Sequence, residues 1–160
     1  MTEINKKITI KLIFLISIVA LISAFFIEHI LGHQPCNLCI LERIPYLLAI
    51  IIIVLNYKFI HLQKHFILLL ILIFLVATIL SLYHLGIEQG FIKESLVCDL
   101  KNGSNLQSKE DILKQLQEKN VSCQDVTFKI FGLSLTSYNI IISLVISIIT
   151  IKMYLNYDKN

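Results

Sequence analysis

The residues best suited to redox chemistry in this sequence are two cysteines in a Cys-x-x-Cys pair. Cys36 and Cys39 stand three positions apart, and Pro35 precedes them. Proline suits the first position of a helix, so a helix is predicted to begin at Pro35 with both thiols on one side of its first turn. Free N–H groups and the positive end of the helix dipole stabilise a thiolate there. The pair is therefore predicted to be redox-active.

Arg43 is the charged side chain placed to act on this pair. It lies four residues after Cys39, one turn further along the same face of the predicted helix. Its permanent charge would favour a Cys39 thiolate or a negatively charged oxygen nearby. The alternative is an arginine that only snorkels to a membrane surface where a helix ends.

The remaining cysteines, Cys98 and Cys123, stand 25 positions apart in a polar segment. A bridge between them would be exposed to the thiol of a partner protein, and accessible bridges are the labile, catalytic ones. Two dithiol pairs suggest a relay by thiol–disulfide exchange. Two other uses of the Cys-x-x-Cys pair stay open, namely a structural disulfide and a zinc site shared with His29 and His33.

Long apolar segments must position these residues, and they indicate an integral membrane protein. Hydrophobic residues make up 56% of the 160 positions and charged residues 16%, against roughly 25% charged residues in an average globular chain. A helix needs about 20 residues to cross the hydrocarbon core. The sequence predicts one all-α domain over residues 1–160, a four-helix membrane bundle. Its spans are predicted at approximately residues 10–30, 38–57, 66–87 and 130–151.

The second span carries the redox pair to membrane depth. Its uncharged part, residues 44–57, covers only about 21 Å, so the span must also recruit residues 38–41. Glu42 and Arg43 should then lie at or just below the membrane surface, because a charge at the bilayer centre costs about 2.5–3.5 kcal/mol. With one dithiol pair at that depth beside an arginine, the terminal electron acceptor is predicted to be lipid-soluble.

Lysine density predicts the orientation of the bundle. Residues 1–11, 58–65 and 152–160 hold seven lysines in 28 positions, whereas residues 28–43 and 88–129 hold seven basic residues in 58. The positive-inside rule therefore favours cytoplasmic termini. All four cysteines then lie on the other side, where disulfides form and persist. The net charge of +3 is too small and scattered to suggest nucleic-acid binding.

The extracytoplasmic segment 88–129 is too long for a simple connector and is predicted to be functional. Within it, residues 108–119 are predicted to form a short amphipathic helix, which Ser108 can cap with Asp111 three residues on. The apolar stripe of this helix could rest on the membrane surface or pack against its own loop.

Three stretches resemble motifs of the DsbB family, the disulfide bond formation protein B of bacterial inner membranes. Residues 35–43, Pro-Cys-Asn-Leu-Cys-Ile-Leu-Glu-Arg, resemble the family's Pro-Cys-x-Leu-Cys-x-x-Glu-Arg motif. Residues 83–88, Tyr-His-Leu-Gly-Ile-Glu, and residues 131–134, Phe-Gly-Leu-Ser, resemble two weaker motifs. With the two loop cysteines and the four predicted spans, the resemblance covers nearly the whole chain.

The resemblance implies an enzyme that passes electrons from a soluble thioredoxin-like partner, DsbA in the periplasm, to membrane ubiquinone or menaquinone. Cys98 would form the mixed disulfide with the partner, and Cys123 would pass the electrons to Cys36. Cys39 would face the quinone, with Arg43 holding a quinone oxygen. The resemblance assigns no roles to His84 and Glu88, which match the second motif, and no metal is expected.

Two other functions are weighed against this one. A quinone reductase of the vitamin K epoxide reductase type is also a small helical bundle with two cysteine pairs, but such proteins resemble this chain less because their Cys-x-x-Cys follows the loop pair. A membrane metal-binding protein would use His29, His33, Cys36 and Cys39. Metal analysis of the purified protein separates this last function from the two enzymatic ones.

Overall fold

The structure is a computed structural model that describes residues 3–93, 122–124, 129–130 and 132–157. Long helices dominate it, and a short 3-10 turn, Ile60–Leu62, joins two of them. The helices are α1 (Glu3–His29), α2 (Asn37–Leu41), α3 (Ile44–Lys58), α4 (Gln63–Glu88) and α5 (Leu135–Leu155). A two-stranded antiparallel hairpin, β1 (Lys129–Ile130) and β2 (Leu133–Ser134), precedes α5.

Four stretches of the described chain are long and apolar enough to cross a membrane, which confirms the predicted four-span, all-α class. They are Lys6–His29, Asn37–Lys58, Gln63–Glu88 and Leu135–Leu155. Large apolar side chains cover the outside of the bundle; Leu15, Ile22 and Ile79 expose 60%, 62% and 66% of their surface. Such an apolar exterior suits hydrocarbon, where backbone polar groups must be satisfied inside each helix.

The centre of the bundle combines apolar packing with small polar residues. Phe74, Ala49 and Ile53 are fully buried in one cluster formed by the spanning helices. The Thr78 hydroxyl lies within hydrogen-bond distance of the Phe74 carbonyl oxygen on its own helix, at 2.8 Å, and of the Ser143 hydroxyl on α5, at 3.1 Å. Small side chains let helices approach closely in lipid, and such bonds keep their hydroxyls satisfied.

The second span is two helices rather than the single helix expected over residues 38–57. α2 ends at Leu41, and α3 begins at Ile44 with Arg43 as its N-cap and Pro45 in its first turn. Proline has no N–H, so Pro45 cannot donate to the carbonyl of Leu41 and continue the first helix. The break places Glu42 and Arg43 at a bend between the two helices.

Two predicted helix starts were wrong. α2 begins at Asn37 and not at Pro35, because Cys36 is its N-cap with extended backbone and accepts the N–H of Cys39. The last span begins at Leu135 and not near residue 130. The strands Lys129–Ile130 and Leu133–Ser134 instead form the hairpin, and Gly132, just before the second strand, has a φ of 81°. The predicted helix at residues 108–119 lies outside the described residues.

The helix ends that meet at one end of the bundle determine where the site lies. The C-terminal ends of α1 and α4 meet the starts of α2, α3 and α5 there. Glu28 contacts Arg43, the N-cap of α3; His84 contacts Cys36, the N-cap of α2; and Glu88 contacts Thr136 of α5.

Candidate redox site

The Cys-x-x-Cys pair lies at the start of α2 as two free thiols. Cys36 Sγ and Cys39 Sγ are 2.8 Å apart, so one thiol donates to the other. The Cys39 N–H also donates to Cys36 Sγ over 3.3 Å. The structure thus brings the two thiols together as predicted, with Cys36 as the sulfur that receives hydrogen bonds from its own helix.

The surroundings of Cys36 favour its thiolate. The hydrogen bond from the Cys39 thiol lowers the pKa of Cys36 most, burial opposes this, and the hydrogen bond and charge of His84 lower it further. Together they bring the pKa from 9.0 to about 5. A thiol with so low a pKa is largely ionised at neutral pH and is a good leaving group in disulfide exchange.

His84 of α4 joins the redox pair to a carboxylate. Its Nε2 lies 3.5 Å from Cys36 Sγ, and its Nδ1 lies 2.9 Å from Oε1 of Glu42. The imidazole is 1% exposed. Sequence reasoning assigned this histidine no role, although an ionisable residue inside an apolar span is a signal of a functional contact.

Asn139 of α5 extends the polar network from Glu42 to α3 and α4. Its side-chain NH₂ group donates to Oε2 of Glu42 over 3.0 Å and to Ser81 over 2.8 Å. The hydroxyl of Tyr46 donates to the side-chain amide oxygen of Asn139. Sequence reasoning missed this residue too, and the signal was again a polar amide in an apolar helix. The network locks Glu42 in place, because both of its carboxylate oxygens accept a hydrogen bond.

Arg43 lies at the bend of the second span instead of one turn along α2. Its Nη1 donates to Oε2 of Glu28 on α1 over 2.5 Å. Its guanidinium carbon lies 5.2 Å from the centre of the Phe25 ring, a cation–π contact. The arginine is therefore held by α1, and its planar group has further N–H donors beyond the one given to Glu28.

A cavity of about 430 Å³ joins the thiols to the arginine. Cys36, Cys39 and Arg43 line one part of it, and its other part is an apolar wall on α1. That wall includes Leu15, Ile16, Val19, Ala20 and Ala24. The cavity lining thus combines thiols and charged side chains with an apolar helix surface, the composition of a site for an amphiphilic ligand.

Cys123 packs beside the Cys-x-x-Cys pair. It is disulfide-bonded and belongs to one buried cluster with Cys36, Leu38 and Ile87. The expectation that this sulfur would be exposed was wrong, because Cys123 is only 3% exposed. Cys98 lies outside the described residues.

The alternative metal site would use a different histidine from the two expected, His29 and His33. In the described part of the chain, three residues could together hold a metal ion: Cys36, Cys39 and His84. Their sulfur and ring-nitrogen atoms lie within 4.8 Å of one another. His29 is exposed, and its Nδ1 lies 3.2 Å from the carbonyl oxygen of Phe25. The alternative zinc site with His29 and His33 is therefore not assembled among the described residues.

Comparison with known proteins decides the family. Residues 6–153 match the family described as disulfide bond formation protein DsbB. The chain belongs to the DsbB family. It is therefore a membrane protein of disulfide bond formation, with the chemistry of a thiol–disulfide oxidoreductase.

A curated relative supports the same assignment over most of the chain. An uncharacterized protein of Rickettsia prowazekii (strain Madrid E) is 32% identical over 151 residues. The match covers 91% of this chain and 85% of that protein. No solved structure matches the chain significantly.

Proposed function

We propose that this DsbB-family protein oxidises a soluble DsbA-like dithiol protein and passes the electrons through its two cysteine pairs to a membrane quinone. The observation that carries the proposal is the shared cavity. The Cys-x-x-Cys pair, Cys123 and Arg43 all line it, together with an apolar wall of a spanning helix. Thiol chemistry and a site for a lipid-soluble acceptor therefore lie side by side.

On the thiol side, Cys98 forms the mixed disulfide with the partner, which releases Cys123 as a thiolate. The Cys123 thiolate then attacks Cys36 of the oxidised Cys-x-x-Cys pair. The Cys36–Cys39 bond breaks, the Cys36–Cys123 bond forms, and Cys39 leaves as a thiolate. Cys123 and Cys36 are both buried members of one cluster, whereas Cys39 is only partly buried beside it. This burial supports Cys36 as the sulfur that Cys123 attacks.

On the membrane side, the residues fit a quinone of the ubiquinone or menaquinone class. The apolar wall on α1 suits an isoprenoid tail, and a volume of about 430 Å³ falls within the usual range of ligand sites. Arg43 suits a ring carbonyl because its charge is permanent and its donors are planar. When bound, the quinone supplies a two-electron acceptor. Arg43 would hold its oxygen, and Cys39, which lines the same cavity, would supply the electrons.

We further propose that the protein lies in a bacterial inner membrane with both termini in the cytoplasm. Lysine density favours that orientation. The described cysteines all lie at one end of the bundle, beside the end of α1 at His29 and the end of α4 at Glu88. That end would face the periplasm, where a soluble partner and oxidising conditions are found.

The proposal is tested with purified protein, a reduced thioredoxin-fold dithiol protein and a short-chain quinone. Quinone absorbance should fall only when both the partner and the enzyme are present. Cys39→Ala should abolish this activity, whereas His61→Gln, at the opposite end of the bundle, should retain it. Partner oxidation that proceeds equally without quinone under anaerobic conditions would refute the proposed acceptor.

A further inference from the structure

His84 lies between a thiol and two carboxylates at the centre of the site. Cys36 Sγ faces its Nε2 at 3.5 Å, and Glu88 Oε1 lies 3.9 Å from the same nitrogen. Glu42 faces its Nδ1 at 2.9 Å, and the Thr136 hydroxyl oxygen lies 3.3 Å from Nδ1. These contacts come from α2, α4 and α5, so the ring is oriented from all sides.

The hydrogen-bond partners determine which nitrogen of His84 carries the hydrogen. Thr136 has one hydroxyl hydrogen, and it donates that hydrogen to Oε1 of Glu88 over 2.6 Å. Its oxygen can therefore only accept from Nδ1, and the Glu42 carboxylate also only accepts. Both neighbours of Nδ1 are acceptors, so Nδ1 carries a hydrogen. In the neutral imidazole, Nε2 is then an unprotonated base that faces Cys36.

We propose that His84 is the proton acceptor and donor for Cys36 and that Glu42 is the residue that positions it. The Cys36 S–H bond breaks and its proton moves to Nε2, which leaves a thiolate beside an imidazolium. The Glu42 carboxylate stabilises that imidazolium through Nδ1–H. The proton returns to Cys36 by the reverse path, so no other reactant is consumed.

Proton transfer between His84 and Cys36 has a defined use in the relay, and in that respect the inference rests on the proposed function. When the Cys98 thiolate attacks Cys123 of the Cys36–Cys123 bond, the Cys98–Cys123 bond forms, the Cys36–Cys123 bond breaks, and Cys36 leaves as a thiolate. A leaving thiol departs faster when its thiolate is stabilised. An imidazolium at 3.5 Å supplies that stabilisation at the sulfur that has to leave. His84 therefore acts on the reacting sulfur, and Glu42 acts only through His84.

Two matched variants separate proton transfer from packing. His84→Gln removes the base but keeps a side chain of similar polarity. Glu42→Gln keeps the length of the side chain and an amide oxygen that can still accept from Nδ1–H, but it removes the charge. His61→Gln is the control, because His61 lies in the 3-10 turn at the opposite end of the bundle, against Phe59.

The measurement is the rate of Cys36 alkylation by iodoacetamide against pH, with fully reduced protein in detergent and the modified cysteine mapped by mass spectrometry. The assay needs neither quinone nor partner, so its result does not depend on whether the proposed function is correct. In the wild type and His61→Gln, the rate should reach half its plateau below pH 7. In His84→Gln the midpoint should rise by at least one pH unit, about tenfold less thiolate at a given lower pH. Glu42→Gln should raise it by a smaller amount.

The inference fails if His84→Gln leaves the midpoint at the wild-type pH. It also fails if Glu42→Gln behaves as the wild type, because that variant removes the carboxylate charge that is proposed to stabilise the imidazolium. If His84→Gln does not accumulate as folded protein, the Glu42→Gln midpoint alone decides. A shift in that variant supports the proton-transfer pair, and its absence refutes it.

Discussion

Arg43 is the residue whose removal should separate quinone use from thiol exchange. It is the sole arginine of the sequence, and it lines the cavity with Cys39. Arg43→Ala removes the cation that would meet the negative charge gained by a quinone oxygen. Thiol exchange at Cys123 does not involve the guanidinium, so the partner should still be captured.

The expected size follows from the contacts of the arginine. One N–H is already given to Glu28, so a bound carbonyl would receive one of the remaining donors. Losing one charge-assisted hydrogen bond costs about 1.5–3 kcal/mol, or roughly 10–150-fold in kcat/KM for quinone. Arg43→Lys should be a poor replacement, since an ammonium lacks the planar fork that can serve Glu28 and a ligand together.

The assay is steady-state kinetics with quinone varied at saturating partner. Lys58→Ala is the matched control, because Lys58 stacks over Phe59 at the other end of the second span much as Arg43 stacks over Phe25. The control should keep the wild-type quinone dependence. If folded Arg43→Ala also keeps it, the arginine serves only to join α1 to the second span, and the proposed position of the quinone is wrong.

Three further predictions concern the relay, the orientation and the polar network. Cys123→Ala should accumulate a disulfide-linked complex between Cys98 and the partner on non-reducing gels; if Cys98→Ala traps the same complex equally well, the order within the loop pair is wrong. A membrane-impermeant thiol reagent should label all four cysteines in intact, reduced cells, and labelling of Cys36 only after the inner membrane is opened would reverse the orientation. Asn139→Ala leaves the Glu42, Ser81 and Tyr46 partners short of a hydrogen bond and should lower the free energy of unfolding by about 1–3 kcal/mol. Asn156→Ala, which loses a bond only to its own helix, is the control, and equal unfolding midpoints for the two variants would contradict the importance of the network.

The spans could be predicted from the sequence because they depend on local composition. An apolar run of about 20 residues identifies a membrane helix whatever it packs against. The helix boundaries depend on single residues, and the second span shows this twice. Pro45 breaks the second span by withholding an N–H, and Cys36 takes the N-cap position in place of Pro35 as the helix start.

The thiols of the site could be predicted, but most of their surroundings could not. Cys36 and Cys39 are three positions apart, so their contact follows from local geometry. The contacts of His84 join residues that are 42 and 48 positions apart, and no periodicity in the sequence specifies such pairs. The burial of Cys123 likewise depends on how the chain returns to the bundle after α4, which composition alone does not determine.

The most direct test of electron transfer from thiols to quinone is a single-turnover stoichiometry. Purified protein, limiting reduced DsbA-like partner and excess quinone are mixed without oxygen, and quinone absorbance and partner thiols are measured in the same sample. Oxidation of one dithiol releases two electrons and two protons, the number needed to convert one quinone to one quinol. We predict one quinol formed per partner disulfide, and none with Cys36→Ala. Partner oxidation with no loss of quinone would contradict the proposed function.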